Sequence, residues 1–321
     1  MRRAGWVLWS WGCLLLLACA QPADVVILKS REGSLYDEAV AGLTSELERQ
    51  GYNLALQTLT LKGDRSDADT LRSALARKPK LLVAVGNNAV QAIQQHYDRF
   101  PNQPKVPVVF TTVLDPEALG LTAGEKSQNS LFTGVELSVR PQRMFRALMD
   151  VQPTVKRVGV IYNPDDTTSR RLVTQAQDDA ARMELQLVAI PQRPNEPLQR
   201  SLASLVGNVD AMMLIPDPVC AAPEPFNQIL AFTTDQKIPL VAFADSFVRR
   251  GALVGLGIDF REQGVLGAEL IVRLLEGADP ASLPIQSPRK YLIYYNLRQA
   301  KALNITIPEM LLNLADKVFE Q

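Results

Sequence analysis

The sequence predicts an α/β protein built as two doubly wound parallel-sheet lobes joined by hinge strands, and three observations carry that prediction. Short continuous apolar runs recur along the chain, each followed by a small polar turn and an amphipathic stretch. Strands of that kind are buried on both faces and alternate with covering helices. The series runs once, then begins again near Arg157, and the 321 residues are more than one core comfortably fills.

In the first series Asp24–Leu28 is a strand and Tyr36–Gln50 a helix, with Ala39, Leu43 and Leu47 at i, i+4 and i+8 on one buried face. Tyr52–Leu61 alternates apolar and polar residues as a second strand, and Ala68–Arg77 is a helix. Leu81–Val85 is a third strand ending in Gly86-Asn87-Asn88, followed by a helix over Ala89–Tyr97. Val106–Phe110 is a fourth strand with Thr111–Pro116 as its exit loop, and Leu131–Leu137 reads as a strand leaving the lobe.

The second series places strands at Arg157–Tyr162, Leu185–Ile190, Ala211–Ile215 and Pro239–Phe243. Helices alternate with them at Thr168–Met183, Leu198–Val206 and Glu224–Gln236. The tail then crosses back. It carries a strand over Ala252–Ile258, a helix over Arg261–Glu276, a Pro-containing connector and a strand over Lys290–Tyr295. Terminal helices are expected around Leu297–Leu303 and Pro308–Phe319. The expected first lobe is therefore 24–134 plus 256–280, and the second 139–250 plus 285–321. Hinges fall near 134–138, 251–255 and 281–287, positions that permit closure around a ligand.

Residues 1–20 read as a signal peptide. Arg2 and Arg3 precede an apolar stretch from Trp6 to Ala18, too short for a stable span of roughly 20 residues but suited to a secretory h-region. Two processing readings stay open. Leu16-Leu17-Ala18-Cys19 resembles a lipobox, making Cys19 the lipidation site, and Ala20 after it lacks the aspartate that marks inner-membrane retention. Ala18-Cys19-Ala20 also fits an A-x-A cleavage site. The first is preferred, although a strand starting at Asp24 leaves a short tether. Either one implies a periplasmic chain or a lipoprotein anchored on the extracytoplasmic side.

Lys plus Arg and Asp plus Glu both count 34, a balance that argues against a nucleic-acid partner. Outside the leader Cys220 is the one thiol, so no disulfide framework or paired-cysteine metal site is expected. The single histidine, His96, is placed on the polar side of its helix. No GxSxG elbow or HExxH motif occurs, and Gly120–Ser127 has the wrong spacing for a phosphate loop. These absences favour a binder without catalytic residues, cofactor or metal.

Ligands of open α/β sheets sit at the carboxyl ends of the strands. Those exits carry Ser34, Tyr36, Asn87, Asn88, Thr111, Thr112 and Asp115 in the first lobe. The second lobe offers Tyr162, Asn163, Asp217, Asp245 and Ser246, with Asp259 at the return. Helix N-terminal amides near Ser34, Asn88 and Thr168 suit a carboxylate, Asp245 or Asp259 an amine, and Tyr36, Phe110 or Tyr162 an apolar group. Several have plain structural readings as well: Asp166 as a helix cap, Asp217 as a turn former, Phe110 as core.

The order of short motifs resembles a known family. Pro107-Val-Val-Phe110 with Asp115-Pro116 and Gly120-Leu121, then Phe132-Thr-Gly134-Val135 and Arg157–Pro164, are followed by Ile238-Pro239 and Gly251-Ala-Leu253. Leu275-Glu-Gly277, Leu283-Pro-Ile285, Asn296-Leu297, Ala300–Leu303 and Ile307-Pro308 complete the series. The pattern is similar to that of ABC-transporter substrate-binding proteins of the tryptophan/tyrosine type, from about Asp24 to Phe319. One departure lies at Gly124–Asn129, where relatives commonly carry a Pro-Gly-Gly-Asn-style turn. The resemblance implies a periplasmic type I binding-protein fold and a monomeric, non-catalytic receptor. Such a receptor takes a small solute, an amino acid or similar zwitterion, and partners a membrane permease. Two alternatives remain: a lipoprotein sensor using the same cleft, and a hydrolase or transferase on the same scaffold.

Overall fold

The computed structural model describes residues 23–102, 104–121 and 130–320. The expected leader with Cys19 and the Gly124–Asn129 turn lie outside them. The first sheet holds five parallel strands: β1 (Val25–Lys29), β2 (Leu56–Thr60), β3 (Leu81–Val85), β4 (Val108–Val113) and β5 (Phe132–Glu136), in the order β2-β1-β3-β4-β5. Helices α1 (Ser34–Arg49), α2 (Asp67–Ala76) and α3 (Asn87–Arg99) connect them. Alternation sends Leu28, Leu82 and Phe110 onto Leu71, Val90 and Ile93 of α2 and α3. The opposite face, with Ile27, Val83 and Val109, meets Leu43 and Leu47 of α1.

The second lobe opens with α4 (Pro141–Val151), then β6 (Arg157–Tyr162), α5 (Thr167–Arg182), β7 (Gln186–Pro191), α6 (Leu198–Leu205) and β8 (Ala211–Met213). It continues through α7 (Pro223–Asp235), β9 (Leu240–Ala242), α8 (Asp245–Arg250) and β10 (Val254–Ile258). The long helix α9 (Phe260–Leu275) crosses to the first lobe, where Leu266 and Leu270 join the face beneath α1. The chain returns as β11 (Tyr291–Asn296), α10 (Leu297–Leu303), α11 (Glu309–Asn313) and β12 (Lys317–Phe319). Seven strands result, in the order β12-β11-β10-β9-β8-β6-β7, parallel except that β11 runs against β10.

Several expectations are corrected. β4 does not stop at Phe110 but runs to Val113, so Thr111 and Thr112 belong to the strand rather than its exit loop. β5 does not simply leave the lobe; it pairs with β4 as the edge strand. Val254–Ile258 lies wholly in the second sheet, between β9 and β11, so residues 256–258 are not part of the first lobe and 251–255 is no crossing. The chain instead crosses at 137–140, at Asp259 and at 287–290. Pro308–Phe319 is a short helix followed by a strand. Asp316 breaks it by exchanging hydrogen bonds with Ile293, its N–H donating to the Ile293 carbonyl and its Oδ2 accepting from the Ile293 N–H. Helices α4 and α8 were not anticipated, although α4 buries Met144, Phe145, Leu148 and Val151 at helical spacing behind a first-turn proline.

Two glycines let α9 dock. A Cβ at Gly264 would overlap the Ala39 carbonyl oxygen of α1, and one at Gly42 would overlap the Arg261 carbonyl oxygen of α9. The two helix backbones therefore touch without intervening side chains. Beside the crossings, Glu136 and Gln286 pair backbone to backbone, and Ser287 Oγ donates to Glu136 Oε1 at 2.7 Å. No helix of the described residues is long and apolar enough to cross a membrane.

Candidate functional site

Beyond the carboxyl end of β4, Asp115 meets Arg171 of the second lobe, and β3 and β1 lie next to β4 in the same parallel sheet. On the first lobe the shelf begins at Ser30, buried just past β1, whose Oγ accepts the Ala89 N–H at 2.9 Å. Gly86 precedes α3 at φ 92°, a conformation that favours glycine. A Cβ there would lie 2.7 Å from both Ser30 Oγ and Tyr36 Cε1, so the Tyr36 ring closes over this turn. The Arg31 guanidinium stands 5.6 Å from the centre of that ring. Asn87 Oδ1 accepts the Leu114 N–H at 3.1 Å, tying the α3 start to the segment after β4.

Helices α1 and α3 follow Gly33 and Gly86, which offer no capping side chain, and in the first turn of α3 Ser30 takes the Ala89 N–H instead. Helices α2, α4, α6, α7, α8 and α11 likewise lack a side-chain cap. By contrast Asp166 caps α5 on Ser169, Asp259 caps α9 on Arg261 and Glu262, and Asn296 caps α10 on Gln299. Uncapped first-turn amides keep hydrogen-bonding capacity for something else. Asp166 takes the Ser169 N–H of α5 just as Ser30 takes the Ala89 N–H of α3, so the remaining capacity at both starts lies in the amides ahead of those residues.

Other expected site residues are occupied within the protein. Asp217 is buried, with Oδ2 accepting the Asn163 N–H at 2.6 Å and Oδ1 accepting those of Val219 and Cys220 at 2.8 and 2.7 Å. Burial and that carboxylate push the Cys220 thiol well up, which keeps it protonated. Asn163 is buried, and its Oδ1 accepts the Asp165 N–H, a turn set by the asparagine itself. Thr111 is buried, with its methyl group packed towards Gly267 of α9. Asn88 is exposed and lines a polar cavity of about 910 Å³ between α2 and α3, with Arg65, Arg72 and Gln95. Ser34 and Ser246 are exposed, Tyr162 and Asp245 half-buried. His96 is buried, its ring 4.8 Å from that of Phe100, rather than lying on a polar face.

Five residues at or beside the strand ends escaped the sequence reading. Ser30 is one. Lys29 is buried at the end of β1 and pairs with both Glu32 and Asp37 at 2.7 Å, contacts that hold its ammonium above the usual lysine range. A charge closing an apolar run was the available signal. Arg171 of α5 pairs with the buried Asp115, and Gln263 of α9 bridges Thr112 and Glu136; nothing in their local sequence marks either. Tyr294 of β11 covers Gly257, and its phenol is pushed up to about 12, first by burial and then by the negative charge of Asp245, Asp316 and Asp259.

The fold thus favours the neutral phenol. That contribution is fully present below pH ~10, the ordinary tyrosine value, and is lost as pH rises through about 12. Asp245→Asn removes one of the charges and should move the Tyr294 transition downwards. Phenolate absorbance followed against pH, with a Tyr294→Phe protein to assign the step, reads the shift directly. Among the described residues no group of three His, Cys, Asp or Glu side chains is placed to hold a metal ion.

Comparison with known proteins agrees with this architecture. A tyrosine-binding protein of Clostridioides difficile is 24% identical over 274 residues, covering 84% of this chain and 77% of its own length. Among solved structures, an ABC domain from Streptococcus pneumonia in complex with L-Trp is 23% identical with a TM-score of 0.63, over 92% of this chain and all of its own. The ligand-free, open form of a substrate-binding protein with adhesive properties from Clostridium difficile is 22% identical with a TM-score of 0.77, over 92% of this chain and 99% of its own. Residues 24–319 match the family described as ABC transporter substrate binding protein, and this chain belongs to that family.

Proposed function

We propose that the chain is the extracytoplasmic receptor of an uptake system. It closes its lobes on one small zwitterion, an amino acid with an aromatic or apolar side chain, and passes it unchanged to a membrane permease. The observation that carries the reading is the pair of helix starts behind Gly33 and Gly86, whose cap glycines offer no side chain, set around Ser30 and Tyr36 with Ser30 holding the Ala89 N–H. Amides at a helix start suit a carboxylate, and the Tyr36 ring offers an apolar surface beside them. Asp245, whose Oδ2 has an exposed contact with Arg249 at 3.4 Å and whose Oδ1 is left over, and the second oxygen of Asp259 are carboxylates suited to meet an ammonium, whereas Asp217 is engaged within its own lobe. The names of relatives, one tyrosine-binding and one solved with L-Trp, point to the same class of solute. Export by the first twenty residues, with or without a lipid on Cys19, completes this reading.

Calorimetric titration of ligand-stripped protein with L-tyrosine and L-tryptophan tests it. Saturable one-to-one binding is expected, with no chemical change in the recovered solute. Gly86→Ala should weaken that binding by at least about tenfold, because the added methyl meets Ser30 and Tyr36 at a backbone angle alanine resists. Silence across all amino acids, or turnover of the solute, would refute the proposal.

A further inference from the structure

Arg171 reaches across from the second lobe to the first. It lies in the second turn of α5, and its guanidinium grips Asp115, two residues beyond β4, with Nη2–Oδ1 at 2.5 Å and Nε–Oδ2 at 3.0 Å. Its Nη1 stands 3.3 Å from Glu117 Oε2. The Asp115 side chain is 2% exposed and that of Arg171 31%, so the fork is partly withdrawn from water. Bidentate guanidinium–carboxylate pairs in such surroundings are stronger and more directional than surface ion pairs.

The first-lobe half of this contact is held rigidly. Asp115 Oδ1 also accepts the Ala118 N–H at 3.1 Å. Just upstream Thr112 sits at φ 57°, which is unusual for a β-branched residue and persists only where neighbours impose it. Its N–H donates to Gln263 Oε1 at 3.4 Å, and Gln263 Nε2 donates to the Glu136 carbonyl at 3.2 Å. The Leu137 N–H donates to the Val113 carbonyl at 2.7 Å. The end of β4 is therefore fastened to the first crossing strand and to α9, the helix between the other two crossings. Any separation of α5 from the end of β4 must break the guanidinium fork and leave a buried carboxylate to be hydrated.

We infer that the Arg171–Asp115–Glu117 contact is an interlobe clasp that favours the lobe arrangement described here before any solute arrives, and so sets part of the solute affinity through the balance between that arrangement and the others. The inference rests on the two-lobe closure proposed above. A receptor whose binding-competent form is more populated binds its ligand more tightly by the same factor. The clasp also fills the charge of Asp115, which explains why that residue is unsuited to hold a ligand ammonium.

The test is the distance between spin labels on Asp98→Cys of α3 and Asp178→Cys of α5, both exposed positions, in full-length exported protein. Cys220, buried and with its thiol pushed up, should escape labelling. Solute-free protein should contain a population at the label distance of this structure, which Arg171→Gln reduces about five- to tenfold relative to any other. Asp115→Asn should do the same, and the double variant should go no further than either alone. Glu117→Gln, which removes only the exposed outer contact, should give a smaller shift in the same direction even if the inner variants fold poorly. Distances unaffected by all of these substitutions would overturn the clasp. L-tryptophan titrations separate the two ideas: labels that respond in a protein binding no amino acid would keep the clasp and discard the solute class. Unchanged distances in a protein that binds L-tryptophan would do the reverse.

Discussion

Gly264→Ala should destabilise the protein by about 1–3 kcal/mol or more, the range for forcing extra volume into a packed contact. The methyl would overlap the Ala39 carbonyl oxygen and crowd the Leu43 N–H, both backbone atoms of α1 that cannot rotate away. Either α9 lifts off α1 or the helices shift together, opening the face filled by Leu43, Leu266 and Leu270. Gly267, one turn further along α9, is the control. A Cβ there meets Thr111 Cγ2 at 3.5 Å and Leu43 Cδ1 at 3.7 Å, ordinary contacts. Gly267→Ala should therefore be neutral or stabilising by up to about 1 kcal/mol, the helix-propensity gain. Scanning calorimetry of the two variants compares them on one helix, and equal effects would mean that backbone contact is not what docks α9. Because α9 belongs to one lobe while β10 and β11 on either side belong to the other, its undocking also loosens two of the three crossings.

Asp217→Ala carries the second large effect, about 2–4 kcal/mol. Three N–H groups lose their acceptor at once, and buried donors left unpaired cost on the order of 1–3 kcal/mol each when water cannot replace the bond. The loss falls on the Asn163 turn after β6 and the Val219-Cys220 turn after β8, so both strand ends of the second lobe should loosen. Denaturant unfolding measures the destabilisation. In protein that remains folded, solute affinity should change little compared with Gly86→Ala. A stable Asp217→Ala protein with abolished binding would return Asp217 to the solute site and remove it from the framework.

How much was legible follows from what kind of signal each feature leaves. Leu81–Val85 and Arg157–Tyr162 are recovered to the residue because a continuous apolar run bounded by polar turns has one reading in an α/β chain. The extension of β4 through Thr111 and Thr112 was missed because two threonines look like loop chemistry, yet their backbone groups continue the ladder to β3 and the ties to β5. The C-terminal strand was hidden because three residues, Lys317–Phe319, gain their identity from β11 and not from local pattern. Site residues divide the same way. Tyr36 and Asn87 were reachable because strand exits are predictable places. The role of Asp217 as an internal acceptor and the pairing of Asp115 with Arg171 depend on partners 54 and 56 residues away, which spacing along the chain does not encode.

Whether the shelf around Ser30 and Tyr36 holds the proposed solute is tested by native mass spectrometry of the protein. One small zwitterionic molecule per chain is expected in protein purified without stripping. It should be released intact on unfolding, restored by adding L-tyrosine or L-tryptophan, and depleted by Gly86→Ala. Protein that carries no small molecule, takes up none of the amino acids offered and behaves identically with Gly86→Ala would contradict it.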